Sequence, residues 1–176
     1  MKILIVSQYF WPENFRINEV VNFLKDKNHD VDVLTAYPNY PEGKLSKEYV
    51  IDPLKYSIFC GAKIYRVPIY LRRKGSKFDL FINYISFVFS SIFFGYFYLR
   101  KKKYDAVFSF ATSPVTSAIP AIFFSKIKGC KSFIWVLDLW PDIIKELNII
   151  NNRFIYIIFS KFIQRIYKSF DFILLQ

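Results

Sequence analysis

Ile3-Leu4-Ile5-Val6 is a continuous β-rich apolar run without polar alternation, the pattern of a strand covered on both faces within a parallel sheet. After a loop from Gln8 to Asn14, the apolar residues Ile17, Val20, Val21 and Leu24 recur at helical spacing. Asn14 stands ahead of them as a suitable N-cap, so a helix is predicted as far as Lys27. Val31-Asp32-Val33-Leu34-Thr35 reads as the next strand. The unit closes within about 35 residues, the size of a right-handed strand-helix-strand crossover. The fold class expected is therefore α/β, built on a doubly wound parallel sheet.

Between Ala36 and Tyr56, the residues Pro38, Asn39, Pro41, Glu42, Gly43 and Pro53 argue against regular structure, and a loop of this length usually has a task. Ile64 to Ile69 reads as a third strand, broken late by Pro68, and Arg72-Arg73-Lys74-Gly75 as a basic turn. Asp105 to Phe110, Lys131 to Leu137 and Phe172 to Leu175 are the remaining strands expected. Helices are expected over Pro114 to Lys128, Pro141 to Leu147 and Phe154 to Ser169. Neither an internal repeat nor a linker divides the chain, and its 176 residues suit one domain with a real core.

The chain is 53% hydrophobic and 21% aromatic yet carries a formal charge of +11. Disorder is excluded by that composition, and a basic surface attracts phosphates: nucleotide sugars, phospholipid head groups, lipid-linked pyrophosphates or nucleic acid. Cys60 and Cys130 stand alone, without the spacing of a zinc site or redox pair, and each is expected to be a buried free thiol in a reducing compartment. The N-terminus lacks the apolar stretch and small-residue cleavage site of a signal peptide, which suggests a cytoplasmic protein. No metal site and no cofactor are expected.

Phe81 to Leu99 is apolar and aromatic, flanked by Lys77 and by Arg100-Lys101-Lys102-Lys103. Its roughly 19 residues would just cross a bilayer, but Asn83, Ser86, Ser90, Ser91 and Gly95 dilute it. The segment reads as a buried or membrane-surface helix whose aromatics spread around its circumference, with the lysines at head-group level. Packing on the sheet as an ordinary core helix is the plainer reading. No base-stacking sheet or recognition helix accompanies the lysines, so membrane phosphate is favoured over nucleic acid.

Trp135-Val136-Leu137-Asp138-Leu139-Trp140-Pro141-Asp142 delivers a carboxylate and an indole to the point where a strand should end. Ligands of parallel α/β sheets bind outside the carboxyl ends of strands. Asp138 therefore either belongs to a site or simply caps a helix with Pro141 in its first turn.

These motifs resemble, in order and over essentially the whole chain, the N-terminal half of the GT-B glycosyltransferases of family 4. The likeness is to the branch close to bacterial O-antigen and colanic acid enzymes such as fucosamine transferases. Lys2 to Asn14 resembles that branch's opening strand and loop, followed by His29-Asp30-Val31-Asp32-Val33-Leu34-Thr35. Tyr37-Pro38-Asn39-Tyr40-Pro41-Glu42-Gly43 resembles its acceptor-side loop, and Thr112-Ser113-Pro114 and Asp138-Leu139-Trp140-Pro141-Asp142 fall where the family places its cleft. The resemblance implies a Rossmann-like domain and a retaining transfer from a nucleotide-sugar donor to a polyprenyl-pyrophosphate-linked saccharide acceptor. It places the work at the cytoplasmic face of the inner membrane, with the protein held peripherally on the membrane surface.

On this resemblance Asp138 is the candidate catalytic carboxylate, since removing a proton from an acceptor hydroxyl needs a base within hydrogen-bond reach. Many relatives carry a His just before this Asp; Leu137 stands here, so that role does not carry over. Trp140, Thr112, Ser113, Asn39 and Glu42 are the acceptor-binding candidates. Trp140 either stacks on a sugar or seals the loop over the core, and Thr112 and Ser113 either bond the acceptor or cap the following helix. Glu13, Asn14 and Arg16 lie on the donor-phosphate side, where many relatives have glycines; Arg16 either meets phosphate or is solvated. His29, the single histidine, precedes a strand at the opposite end of the sheet and is expected to be structural.

The resemblance assigns residues 1–176 to the acceptor-side half and leaves the donor-binding C-terminal domain unrepresented. The expectation is of a half inactive alone, or one served by a separate chain carrying the other half. The rival expectations are a non-enzymatic binding module and a truncated relic of such an enzyme.

Overall fold

A computed structural model describes residues 1–72, 76–142 and 152–175. The basic turn from Arg73 to Gly75, and the helix expected over Pro141 to Leu147 from Ile143 onward, lie outside them.

The strands are β1 (Lys2–Ser7), β2 (Asp30–Ala36), β3 (Ile58–Phe59), β4 (Ala62–Val67), β5 (Ala106–Ala111), β6 (Lys131–Val136) and β7 (Phe172–Leu175). They form one seven-stranded sheet in the order β3-β4-β2-β1-β5-β6-β7. Every pairing is parallel except the two-residue β3 against β4. In register, Ile3 lies between Val31 of β2 and Ala106 of β5. The chain runs outward from β1 through β2 to β4, then returns to β5 and runs the other way, so the topological switch point falls at the β1/β5 junction.

The apolar run of β1 supplies both faces. Leu4 and Val6 pack with Leu34, Val107 and the helices α3 (Lys77–Leu99), α4 (Ile119–Lys128) and α5 (Arg153–Lys168). Ile3 and Ile5 pack on the opposite face with Val31, Val33, Phe110 and the inner residues Ile17 and Val21 of α1 (Arg16–Asp26). Helices on both faces of a nearly all-parallel sheet confirm the doubly wound class expected.

Several local expectations change. The N-cap of α1 is Phe15 with no side-chain bond, and Asn14 is exposed; Asn18 instead ties the preceding loop, accepting from Trp11 N at 3.1 Å and donating to the Glu13 carbonyl at 2.8 Å. The loop after β2 holds a short helix, α2 (Lys47–Ile51), capped by Ser46. Pro114 is extended, and a 3-10 turn at Val115–Ala118 precedes α4. Cys60 is exposed at φ +47° in the tight β3–β4 turn beside Gly61, because a two-residue hairpin leaves no interior to receive it.

The C-terminus of α3 is fixed by side chains from elsewhere. Lys128 Nζ donates to the carbonyls of Leu99, Arg100 and Lys102 at 2.6, 3.1 and 2.8 Å, supplying a cation where the helix leaves unpaired acceptors. Lys102 Nζ and Tyr104 Oη both donate to the buried Asp32 carboxylate at 2.7 Å. His29 lies at this end of the sheet, 3.4 Å from the N-terminal amine, remote from the carboxyl edge as expected.

Candidate functional site at the carboxyl edge of the sheet

The carboxyl edge gathers two groups of candidate residues. On the β1/β2 side Glu13 is the organiser. Its Oε1 accepts the backbone N–H of Asn39 at 2.7 Å and of Tyr40 at 2.6 Å, and its Oε2 accepts that of Phe10 at 3.2 Å. The carboxylate thus turns inward and clamps the loop after β1 to the loop after β2. Burial lifts the Glu13 carboxyl above its ordinary value, against these three hydrogen bonds and the neighbouring Arg66. Arg66 of β4 donates to the carbonyls of Ala36, at 3.0 Å, and Trp11, and its guanidinium lies 5.3 Å from the Tyr49 ring centroid. Burial holds its pKa down to about 10. Arg66 escaped the sequence reading, although an Arg amid the apolar residues of a sheet strand is a signal for a buried structural cation.

These clamps support a cavity of about 460 Å³ lined by Glu13, Asn39, Tyr40, Glu42, Lys44 and Ser46 among others. Asn39 is buried; its Nδ2 donates to the Tyr37 carbonyl at 2.8 Å, while its Oδ1 has no partner among the described residues. A buried acceptor beside a cavity is ready to take a hydrogen bond from a ligand hydroxyl or amide. Gly43, at φ +71°, lets Arg72 approach; a Cβ there would fall 2.8 Å from the Arg72 Cβ. Arg72 in turn donates to the Pro41 carbonyl at 2.8 Å.

Tyr40 is the exposed ring of this wall. It lies 5.2 Å from Tyr9 and 5.1 Å from Phe15, which stack on each other 5.2 Å apart at 11°. Half of Tyr40 is open to solvent. An apolar ring face, fixed from behind and open in front, suits the C–H face of a sugar. Gln8, next to Tyr9, donates to Asn83 of α3 at 2.9 Å, and its own Oε1 has no partner among the described residues. This places a second orphan acceptor at the switch point. Burial and Tyr84 lift the Tyr9 hydroxyl well above its usual range.

The second group lies at the ends of β5 and β6. Asp138 follows β6, half-buried. Trp140 Nε1 donates to Ser113 Oγ at 3.2 Å, Trp140 N donates to Tyr167 Oη at 3.3 Å, and the indole tilts against Phe159 at 6.1 Å. Trp140 therefore joins the β6 loop to the β5 loop and to α5, and its indole packs against the core. Thr112 is buried, with its hydroxyl unpaired among the described residues. Tyr167, which sequence reading did not single out, has its hydroxyl raised by burial, moderated by its bond to Trp140, with Asp142 and Asp138 adding to the rise.

Asn39, Glu42 and Glu13 thus share one cavity, whose lining contains none of Thr112, Ser113, Asp138 or Trp140. Asn14 and Arg16 are exposed near the start of α1 and do not line the cavity either. Among the described residues no cluster of His, Cys, Asp or Glu is placed to hold a metal ion.

This sheet, with helices on both faces and its candidate groups along the carboxyl edge, matches a Rossmann-like half of the GT-B fold. The crystal structure of CalG4, the calicheamicin glycosyltransferase, matches 94% of this chain and 42% of its own with a TM-score of 0.58 at 11% identity, a likeness of fold. In sequence, the chain is 28% identical over 148 residues to the putative colanic acid biosynthesis glycosyl transferase WcaI of Escherichia coli (strain K12). That alignment covers 81% of this chain and 35% of WcaI, so the chain spans about a third of that relative's length. No family model matches the chain. The resemblance to a GT-B glycosyltransferase read from the motifs is thus met both in fold and in sequence.

Proposed function

We propose that this chain is the acceptor-side half of a retaining glycosyltransferase of cell-surface polysaccharide biosynthesis, of the O-antigen, lipopolysaccharide or colanic acid kind. It transfers a sugar from a nucleotide-sugar donor to a saccharide carried on polyprenyl pyrophosphate, peripherally at the cytoplasmic face of the inner membrane. The observation that carries this reading is the likeness to WcaI over 81% of the chain. The edge itself has the right chemistry for an acceptor. Tyr40 offers a ring face, Asn39 Oδ1 an open acceptor and Lys44 a cation in one cavity, and the formal charge of +11 suits a pyrophosphate.

In this reading the acceptor saccharide rests against Tyr40 and Asn39, with Glu42 at the rim. Its reacting hydroxyl points across the switch point toward Asp138, which takes the proton or orients the hydroxyl. Ser113 and Thr112 hold the far side of the acceptor, with Trp140 fixing the loop that carries Asp138. Glu13, Asn14 and Arg16 border the donor phosphates. The donor needs a second wall, in the same or a separate chain, so these residues by themselves bind acceptor without transferring sugar.

The test is an NMR titration of the chain with a short-chain prenyl-pyrophosphate-linked N-acetylglucosamine, soluble without lipid. Saturable shifts at Asn39, Tyr40 and Trp140 are expected. No shifts, or shifts confined to surface lysines, would overturn the acceptor-side reading. Binding that persists beside a supplied donor half, without transfer, would favour a pure binding module instead.

A further inference from the structure

The helix α3 is inverted. Its inner stripe, Asp79, Asn83, Phe87, Ser91, Gly95 and Leu99, is buried and largely small or polar, while Phe78, Phe81, Phe89, Phe93, Tyr96 and Phe97 face solvent. Phe89 is 69% exposed and Phe93 60%. At 100° per residue, Phe78, Phe89, Phe93 and Tyr96 fall within about 60° of one another, and Arg100 continues the same line. A soluble helix buries its large apolar side chains and exposes its polar ones; this one buries Phe87, Val88 and Leu99 but leaves most of its aromatics outward and turns Asp79, Asn83 and Ser91 inward along some 35 Å.

The inner stripe is held against the protein. Asn83 bonds to Gln8 at 2.9 Å and to the Tyr70 carbonyl at 2.6 Å, and Tyr70 Oη bonds to Asp79 at 3.1 Å. At Gly95 a Cβ would come within 2.8 Å of Phe124 and 2.9 Å of Leu34. By length and composition the segment Phe78–Leu99 is sufficient to cross a membrane, but crossing would strip these contacts from the sheet and carry Asp79 and Asn83 into hydrocarbon. Among the described residues the outward side has no such bonds to the rest of the protein. Exposed Arg100, Lys101 and Lys103 stand at its end. On the same face of the sheet α5 adds exposed Phe154, Ile158 and Phe162 with exposed Lys161 and Arg165. Aromatics flanked by cations are the composition that partitions into the boundary between acyl chains and anionic head groups.

We propose that the outward stripe of α3, ending in Arg100, Lys101 and Lys103, is the surface by which this protein lies on an anionic bilayer, with α3 in the plane of the interface and not across it. The inference deepens the function proposed above and rests on it for the acceptor's place in a membrane. Its test separates the two, because the soluble acceptor titration needs no lipid.

The experiment is flotation of the full chain with phosphatidylcholine vesicles, with and without phosphatidylglycerol, in low and high salt. Flotation with the anionic vesicles, and release by high salt, are expected. Phe89→Ser with Phe93→Ser, and separately Arg100→Glu with Lys101→Glu and Lys103→Glu, should each weaken binding about tenfold or more while helix content is unchanged. Failure to float, or flotation indifferent to both sets of variants, would overturn the proposal. So would resistance to high salt and alkaline extraction, the behaviour of a crossing helix. A lipid-free dimer that Phe89→Ser and Phe93→Ser dissociate, without vesicle binding, would assign the stripe to a second copy of the chain. The salt response of the unaltered protein decides the matter even if a variant folds poorly.

Discussion

Glu13 holds Tyr40 by its backbone, Oε1 to N at 2.6 Å across 27 residues of sequence, so the exposed ring in the cavity wall is placed by a buried carboxylate and not by its own loop. Glu13→Ala would leave three N–H groups without an acceptor, those of Phe10 and Asn39 buried and that of Tyr40 part-buried. A loss of at least about 2 kcal/mol is expected, because each stranded donor costs about 1–3 kcal/mol. Urea denaturation at neutral pH checks this. A midpoint equal to that of the unaltered protein would show that the clamp contributes nothing.

Tyr40 itself contributes a ring face and little to folding, being half exposed. Tyr40→Ala should weaken binding of the prenyl-pyrophosphate-linked N-acetylglucosamine about tenfold, and Tyr40→Phe should leave it nearly unchanged, as expected if the stacking face carries the contact. Calorimetric titration measures both. Equal affinity in the alanine variant would remove Tyr40 from the site.

The strands were legible because β1 and β6 carry continuous apolar runs, Ile3–Val6 and Phe133–Val136, and β2 and β5 are β-rich stretches interrupted only by Asp32, Thr35 and Ser109. Other features left weaker traces. The two residues of β3 are too few to show a period, and the turn at Cys60 is set by its partner strand. The inversion of α3 was hidden because its aromatics were expected to spread around the helix, whereas Asn83, Ser91 and Gly95 take the inner positions next to Gln8, Leu34 and Phe124. Of the candidate site, the loop motifs were readable, but their division between two groups was not, since the Trp140–Ser113 and Glu13–Tyr40 links join residues 27 apart in sequence. Tyr9 and Phe15 behind Tyr40 are visible only once the loops are brought together.

At the amino edge, the buried Asp32 carboxylate takes bonds from Lys102 and Tyr104. Burial lifts the Tyr104 hydroxyl far above its usual range, with Asp32 adding to the rise. For Lys102 burial works downward, and the hydrogen bond to Asp32 helps to outweigh it, leaving the amine above its ordinary value. Both folded-state values exceed the unfolded ones, so their stabilisation is complete below about pH 10 and is lost as pH rises through the folded values. Melting temperature should therefore fall steeply on the alkaline side. In Asp32→Asn that fall should be shallower, from a lower starting stability. An alkaline slope identical in the two proteins would refute the linkage.

Asp138 and Trp140 divide the work of the second group. Trp140 fixes the β6 loop through its bonds to Ser113 and Tyr167, while Asp138 stays half open after the strand. If Asp138 handles the acceptor proton, Asp138→Asn in the transfer-competent enzyme should lower kcat by about 10²–10⁴-fold while leaving acceptor affinity nearly unchanged. Trp140→Phe keeps an aromatic ring but loses the Nε1–H bond to Ser113 and part of the packing against Phe159. It should therefore misplace the Asp138 loop, with a smaller fall in kcat and a rise in KM. Steady-state kinetics of both variants separate the roles. A kcat unchanged in Asp138→Asn would move the base to another residue, leaving Asp138 to orient its loop.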